Sequence, residues 1–411
     1  MKTEITTLDE KCLFINGGAW KQTEYADYGI PVVQVKDMQG GTVIWTQPKF
    51  LPESSYQRYS QHKLETNDLV IATVGSHPDQ PNSVVGRATI IPQYAEGALL
   101  NQNAVCIRPK DSTLDKRYLG YIGKSPELQH FIAAMAKGAA NQVRIAIGAL
   151  KQFPFNFPPL EVQQRIAEIL SNYDRLIDNN NRRIALLEES IHQLYKEWFV
   201  RSRFPGYESV KVVDGIPEGW KFKKLEELGL LGRGKSKHRP RNEPSLYGGK
   251  FPFIQTGEVK EASLYITNYS QTYNEKGLAQ SKLWDAGTLL ITIAANIAET
   301  AILTFSACFP DSIVGFIADS NQVSAEFIKY SIDTIKVRMR NVSTGAAQDN
   351  LSLEKIRIFN FLVPDKETMQ LFTRITNPIF LQMKNLLITN ENLRQARDLL
   401  LPRLMNGSIA V

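Results

Sequence analysis

Two stretches that begin 210 positions apart, LIDNNNRRIALLEESIHQLYKEWF (176–199) and LLITNENLRQARDLLLPRL (386–404), share one shape, a long amphipathic helix with an asparagine at the matching place. In the first, Ile166, Leu170, Tyr173, Ile177, Asn180, Ile184, Leu187, Ile191, Leu194 and Trp198 follow one another in steps of 4 and 3. Spacing of that kind draws a single seam along a helix and demands a second helix to cover it. Asn180 is the one polar member, and a buried seam asparagine costs stability while fixing register. The second stretch repeats the framework with Phe372, Ile379, Met383, Leu386, Asn390, Leu393, Leu400 and Leu404. Its seam is rougher: Thr376 and Arg397 occupy core slots, and Pro378 is expected to kink the first half. Each helix of about 39 residues would run about 58 Å, long for a domain core and suited to a spacer. The expectation is that the two pack on each other with Asn180 facing Asn390. The plainer alternative is two amphipathic helices on separate domains, with Asn180 in water.

The duplication extends beyond the helices. Each follows a proline-marked boundary, FNFPPLEVQQRI (155–166) and FNFLVPDKETMQLF (359–372), and the shared FNF carries the repeat upstream. GAANQ (138–142) matches GAAQD (345–349), RYLGYI (117–122) resembles EFIKYS (326–331), and NDLVIA (67–72) resembles GTLLIT (287–292), each of the last pair a short buried strand after a turn residue. GIPVVQVKDM (29–38) resembles KFPFIQTGEV (250–259), with a glutamine followed three residues later by an acid. The offset drifts between 221 and 207, as it must if strands are shared and loops are not. The reading is α+β: a first αβ domain over 1–157, a spacer helix over 158–200, a Pro/Gly-rich connector and second αβ domain over 201–365, and a second spacer helix over 366–411. The helices are expected to form an antiparallel coiled coil, and the repeat gives the chain an internal pseudo-two-fold. Duplex DNA has the same backbone symmetry.

Composition narrows the partners. Of 411 residues, 43% are hydrophobic and 22% charged, enough for two or three domains with real cores. The net charge of +6 permits a polyanionic partner without demanding one. Residues 1–160 hold 16 basic and 14 acidic side chains, and 200–365 hold 21 and 18, so binding would rest on local patches. Cys12, Cys106 and Cys308 are isolated, which disfavours a disulfide framework or zinc site and fits a reducing, cytoplasmic setting. There is no apolar leader at MKTEITTLDEK and no apolar run long enough to span a membrane.

The order variable domain, long helix, IPEGWKFKKLEELG (216–229) opening a second variable domain, long helix, together with NFPPLEVQQRIAEIL (156–170) and GAAQDNLS (345–352), resembles the specificity subunit of type I restriction–modification systems over essentially the whole chain. The resemblance implies two target-recognition domains, each reading half of a split double-stranded DNA sequence. It implies helices that set the gap and dock two methyltransferase subunits, with restriction/translocase subunits joining that core. It also implies a non-catalytic chain with no cofactor of its own, S-adenosylmethionine, ATP and Mg being held by the partner subunits.

Phosphates need mobile cations, guanine pairs with Arg or Lys, and adenine with Asn or Gln. The best patch is RGKSKHRPR (233–241), with Arg233, Lys235, Lys237, His238, Arg239 and Arg241 and no acid; its Gly and Pro suggest a loop. In the first domain the candidates are Lys21, Arg58, His62, Lys63, His77, Arg87 and Arg144. Asn141, Gln142, Gln348, Lys260 and the recurring Gln34 and Gln255 complete the set, although recurrence in both repeats also suits a scaffold role. Each has a plain alternative as a surface or turn residue.

Three decoys fail on context. GLLGRGKS (229–236) fits the phosphate-loop pattern, but a charged KFKKLEEL precedes it and Pro240 and Pro244 follow, where the motif needs a buried strand and a helix. Glu258 and Lys260 form an ExK with no nearby upstream Pro-Asp, too little for a nuclease. No adenine-methyltransferase motif is visible, and the five histidines lack ligand spacing. A scaffold that binds no DNA, or an ATP-using enzyme built on 229–236, are the remaining readings.

Overall fold

The computed structural model describes residues 4–75, 84–135, 137–139, 142–238, 243–343 and 351–411, with the side chains of 137–139, 142 and 343 excepted. The chain forms two compact units, Met1–Ile177 with Leu393–Val411, and Asp178–Asn392. Each unit therefore owns part of each long helix.

In the first unit Glu4–Thr7 pairs antiparallel with Pro154–Phe157, a turn of helix follows over Leu8–Lys11, and Cys12–Asn16 enters a sheet. That sheet runs Cys12–Asn16, Ala104–Pro109, Leu69–Ala72, Ala88–Ile90, antiparallel throughout. Leu69–Ala72 is buried at every residue, as a bare apolar run between turns should be. Helix Lys116–Lys124, capped by the Asp115 carboxylate on the Arg117 and Tyr118 amides, lays Tyr118, Leu119, Tyr121 and Ile122 in one core with Leu69, Ile71, Val105 and Ile107. A smaller sheet joins Ile30–Val33 to Leu99–Leu100 in parallel and to Lys49–Leu51.

The second unit repeats this plan. Lys221–Lys223 pairs antiparallel with Phe361–Val363, a short turn follows over Leu225–Glu227, and Gly229–Arg233 enters a sheet beside Ile313–Ala318, Leu289–Thr292 and Thr300–Leu303, with Tyr265–Ile266 added at the edge. Helix Ala325–Ser343 takes the place of Lys116–Lys124. The paired turn residues hold: Asn67 and Gly287 have positive φ (66° and 88°), and each donates its amide across the strand end, to Ile91 O and Leu303 O at 2.8 Å.

Two sequence matches are corrected by register. Phe155 lies opposite Thr6 and Phe361 opposite Lys223, so FNFPP corresponds to FLVPD, and the two FNF strings are two residues out of step. With that offset of 206 both seams align slot for slot from Ile166 with Phe372 to Trp198 with Leu404. Asn180 then fills slot five of its helix and Asn390 slot six, so the asparagines face each other without being repeat equivalents.

The first long helix spans Leu160–Tyr195 and closes in a wide turn over Lys196–Val200; the second spans Lys366–Met405. In the first unit Ile166 and Leu170 share a core with Leu401 and Leu404, and Arg397 reaches Asp174 at 2.5 Å. In the second unit Trp198 meets Phe372 with ring centroids 5.7 Å apart, and Asn180 donates to Asn390 at 2.9 Å. Low numbers on one helix meet high numbers on the other in both units, so the pair is antiparallel. Asn390 in turn donates to Asn181 Oδ1 at 2.9 Å, which leaves neither seam amide orphaned although both are buried. The helix continues through Pro378: Pro378 and Arg374 are both exposed, so water can take the Arg374 carbonyl that has lost its donor. Thr376 is accommodated in the seam by donating its hydroxyl to Phe372 O at 2.9 Å.

Candidate nucleic-acid interface

In the second unit the chain stays extended past strand Gly229–Arg233. Gly234 donates to Ile313 O at 2.9 Å and Lys235 to Phe309 O at 3.1 Å. Only glycine fits at 234, since a Cβ there would lie 2.3 Å from Pro310 O and 2.5 Å from the Phe309 ring. The period-two alternation buries Gly234 and Ser236 and exposes Arg233, Lys235 and Lys237 on one face. Alternate residues of extended chain stand about 6.5 Å apart, so three cations form a row. The row is tied down by its backbone: Ser281 Oγ donates to Lys235 O at 2.8 Å and the His238 amide to Gln280 Oε1 at 3.0 Å. Arg233 Nε also donates to Asp311 O. Of the loop expected over 233–241, Arg233 ends the strand, 234–238 form an anchored strap without regular secondary structure, and Arg239 and Arg241 lie outside the described residues. The strap also counts against the phosphate-loop reading, because 229–233, where the loop would begin, is an antiparallel strand and 234–238 are not helical. KFK (221–223), read as unlike a strand, is one: its pairing with Phe361–Val363 outweighs its charge.

Lys282 was missed. It is exposed beside Ser281, with its ammonium 3.7 Å from the Trp284 ring centroid, and Trp284 packs under Gly232. No sequence pattern marks it, since it joins the row only through the sheet.

The first unit builds the same turn from different residues. Gly17 donates to Ala104 O at 3.0 Å and Gly18 to Leu100 O at 2.8 Å, so Gly17 corresponds to Gly234, Gly18 to Lys235 and Trp20 to Lys237. Lys21, Arg58, His62 and Lys63 do come together here, but around an acid and aromatic rings. The Lys21 amide donates to Glu24 at 2.8 Å, Tyr59 donates to Glu24 at 2.8 Å, and Arg58 pairs with Glu24 at 3.6 Å. The Lys21 amide and Tyr59 hydroxyl hold the Glu24 carboxyl below its usual range. Trp20 and His62 flank Tyr59, with centroids 5.3 and 6.4 Å away, His62 Nδ1 is 2.7 Å from Asn16 O, and Lys63 sits 5.6 Å from the Tyr56 ring. Arg87 does not join them; it donates to Met38 O at 2.7 Å, near Lys124 and Arg397. Arg144 is exposed on strand Gln142–Arg144, paired with Val74–Gly75, and no hydrogen bond or ion pair ties it to the Glu24 cluster among the described residues.

Gln34 and Gln255 stand at matching capped turns in the two units. Each opens a helical turn whose third residue, Asp37 or Glu258, takes the glutamine amide, at 2.9 and 2.6 Å. Their side chains meet Tyr25 and Gln271. Glu258 also accepts from Ser270 N and Oγ, which accounts for the ExK as a cap, with Lys260 left exposed on helix Thr256–Glu261. His77, Asn141, Gln348 and the Gln142 side chain lie outside the described residues. No group of three His, Cys, Asp or Glu with metal-holding geometry and no helix long and apolar enough to cross a membrane occurs among the described residues.

Residues 2–189 and 217–386 match the family model described as the type I restriction modification DNA specificity domain. The putative type I restriction enzyme MjaX specificity subunit of Methanocaldococcus jannaschii is 23% identical over 415 residues, covering 99% of this chain and 94% of that one. The MjaIX specificity subunit of the same organism is 25% identical over 409 residues, covering 94% and 91%. Among solved structures, the type I restriction–modification S subunit of M. genitalium shares the fold with a TM-score of 0.59 at 14% identity, over 98% of this chain and 96% of that one.

Proposed function

This chain belongs to the type I restriction–modification DNA specificity family, and from that premise we propose that each of its two repeats reads one half of a split target in double-stranded DNA. Specificity subunits of these systems are non-catalytic. The observation that carries the finer reading is the turn after the first sheet strand. It is held by the same backbone bonds in both units, yet presents Arg233, Lys235, Lys237 and neighbouring Lys282 in one, while the other buries Gly18, half-buries Trp20 and exposes Lys21. A shared frame with divergent exposed chemistry is what two readers of two different half-sites need. The cationic row contacts phosphate and sets the second unit on its half-site; base edges are read by neighbouring side chains.

The antiparallel helices set the gap and dock two methyltransferase subunits, and restriction/translocase subunits complete the assembly. S-adenosylmethionine, ATP and Mg belong to those partners, which flip and methylate adenine where this chain places them. Selection of duplexes from a random pool by the co-purified specificity–methyltransferase complex tests this: two fixed blocks separated by a constant gap are expected. One contiguous block, or no enrichment, contradicts it.

A further inference from the structure

The offset between the seam asparagines has a consequence for which helices can pair. Within an antiparallel ten-slot seam, slot five of one helix faces slot six of the other, as Asn180 faces Asn390 and Trp198, slot ten, faces Phe372, slot one. The repeat makes both helices competent partners for themselves. If the first helix met the same helix of a second copy, Asn180 would face Ile184 twice over. If the second met its own copy, Asn390 would face Leu386 twice over. Each such layer would bury amides with no partner, whereas the intrachain pair satisfies both.

A second layer has the same sense. Arg397 in slot eight reaches Asp174, next to slot three on the first helix. The repeat equivalent of Asp174 is Phe380 and that of Arg397 is Ile191. Self-pairing of the second helix would set Arg397 beside Phe380, and self-pairing of the first would leave Asp174 without its arginine. Two non-equivalent polar layers thus favour one pairing out of three.

We propose that Asn180–Asn390 and Asp174–Arg397 are a pairing code that matches the first long helix to the second and excludes pairing of either helix with the same helix of a second copy. The code keeps two different recognition units on one coiled coil, where like-with-like pairing would place two identical units there.

The test uses three full-length chains in an Arg397→Leu background, which removes the ionic layer. One carries no further change, one carries I184N and N390L, and one carries N180L, I184N, L386N and N390L. The third moves the facing amides one layer along on both helices and so restores complementarity; the second gathers both amides on the first helix, where pairing with the same helix of a second copy satisfies them and intrachain pairing orphans them. Each is refolded from denaturant at high concentration and followed by light scattering and thermal melting. The first and third are expected at the monomer mass of 46.4 kDa. The second is expected to populate a dimer, in which both amides are paired as they cannot be within one chain. A second chain that refolds wholly to monomer overturns the proposal, as does a third chain that forms as much dimer as the second. Should the second chain fail to fold, recovery of the third to monomer supports the code and its failure to recover overturns it.

Discussion

The two units differ most sharply where their corresponding tyrosines meet the long helices. In the first, Tyr121 donates to Asp174 at 2.8 Å, and Arg397 and Lys124 close on the same carboxylate at 2.5 and 3.5 Å. In the second, the corresponding Tyr330 stacks on Phe380, rings 6.2 Å apart at 28°, and its buried hydroxyl has no partner among the described residues. At this slot one unit meets its helices through charge and the other through aromatic packing, which continues in Tyr195, Phe199, Phe327 and Phe372, tilted or edge to face at 4.8–6.3 Å. A duplicated backbone thus tolerates opposite chemistry at one slot, provided each slot is satisfied in its own terms. The turns that carry Lys235 and Gly18 follow the same rule, with Lys235 exposed in one and Gly18 buried in the other.

The contrast can be broken by truncation. Phe380→Ala should cost about 3–4 kcal/mol through the cavity it leaves, and should loosen amide-exchange protection in the second unit first. Asp174→Ala should cost about 2–3 kcal/mol, because it strands two cations on a partly buried surface, and should act in the first unit. Equal loss of protection in both units for either variant would erase the distinction between the two fastenings.

Acid sharpens it. Burial pushes the Asp174 carboxyl up, but Lys124 and Arg397 together outweigh burial and hold it below the usual carboxylate range. A depressed folded pKa means the stabilisation is complete above the ordinary carboxylate pKa and drains away as pH falls through the folded value. The first unit should therefore lose protection on acidification more steeply than Asp174→Asn, which has little left to lose there. Parallel pH profiles for wild type and Asp174→Asn would contradict the charge fastening.

At the surface the expected effects are smaller per residue. Removing Lys235 and Lys237 together should weaken DNA binding by the assembled complex and make the log–log salt slope shallower by about 2, or about 0.9 per phosphate contact. Lys21→Ala should change that slope less. If Gln34 and Gln255 serve the scaffold, Gln34→Ala and Gln255→Ala should shift Tm slightly and leave the selected sequence unchanged. A changed half-site in either would make them readers.

The long helices were legible because a 4–3 seam suits little besides a helix packed along its length on a second helix. The Gln34/Gln255 pair was legible because a cap needs an acid three residues on. Other equivalences were hidden. TLDEKCLFING (7–17) and KLEELGLLGRG (224–234) correspond residue for residue at an offset of 217, yet share few letters, because backbone bonds at Gly17 and Gly234 define the match and their flanking side chains do not. The FNF strings misled for the converse reason: identical letters stood two residues out of the register that strand pairing sets. The cation row was visible as a run of charge, but its alternation required the sheet to reveal which residues face out, and Lys282 joined it only through the Ser281–Lys235 hydrogen bond.

The most direct measurement is a map of methylated adenines in the genome of a host expressing this chain with its methyltransferase partner. Two short defined blocks separated by an unread gap of constant length, each holding one methylated adenine, are the required result. Methylation at a single uninterrupted motif would contradict the idea that two readers on one chain each take half of the target.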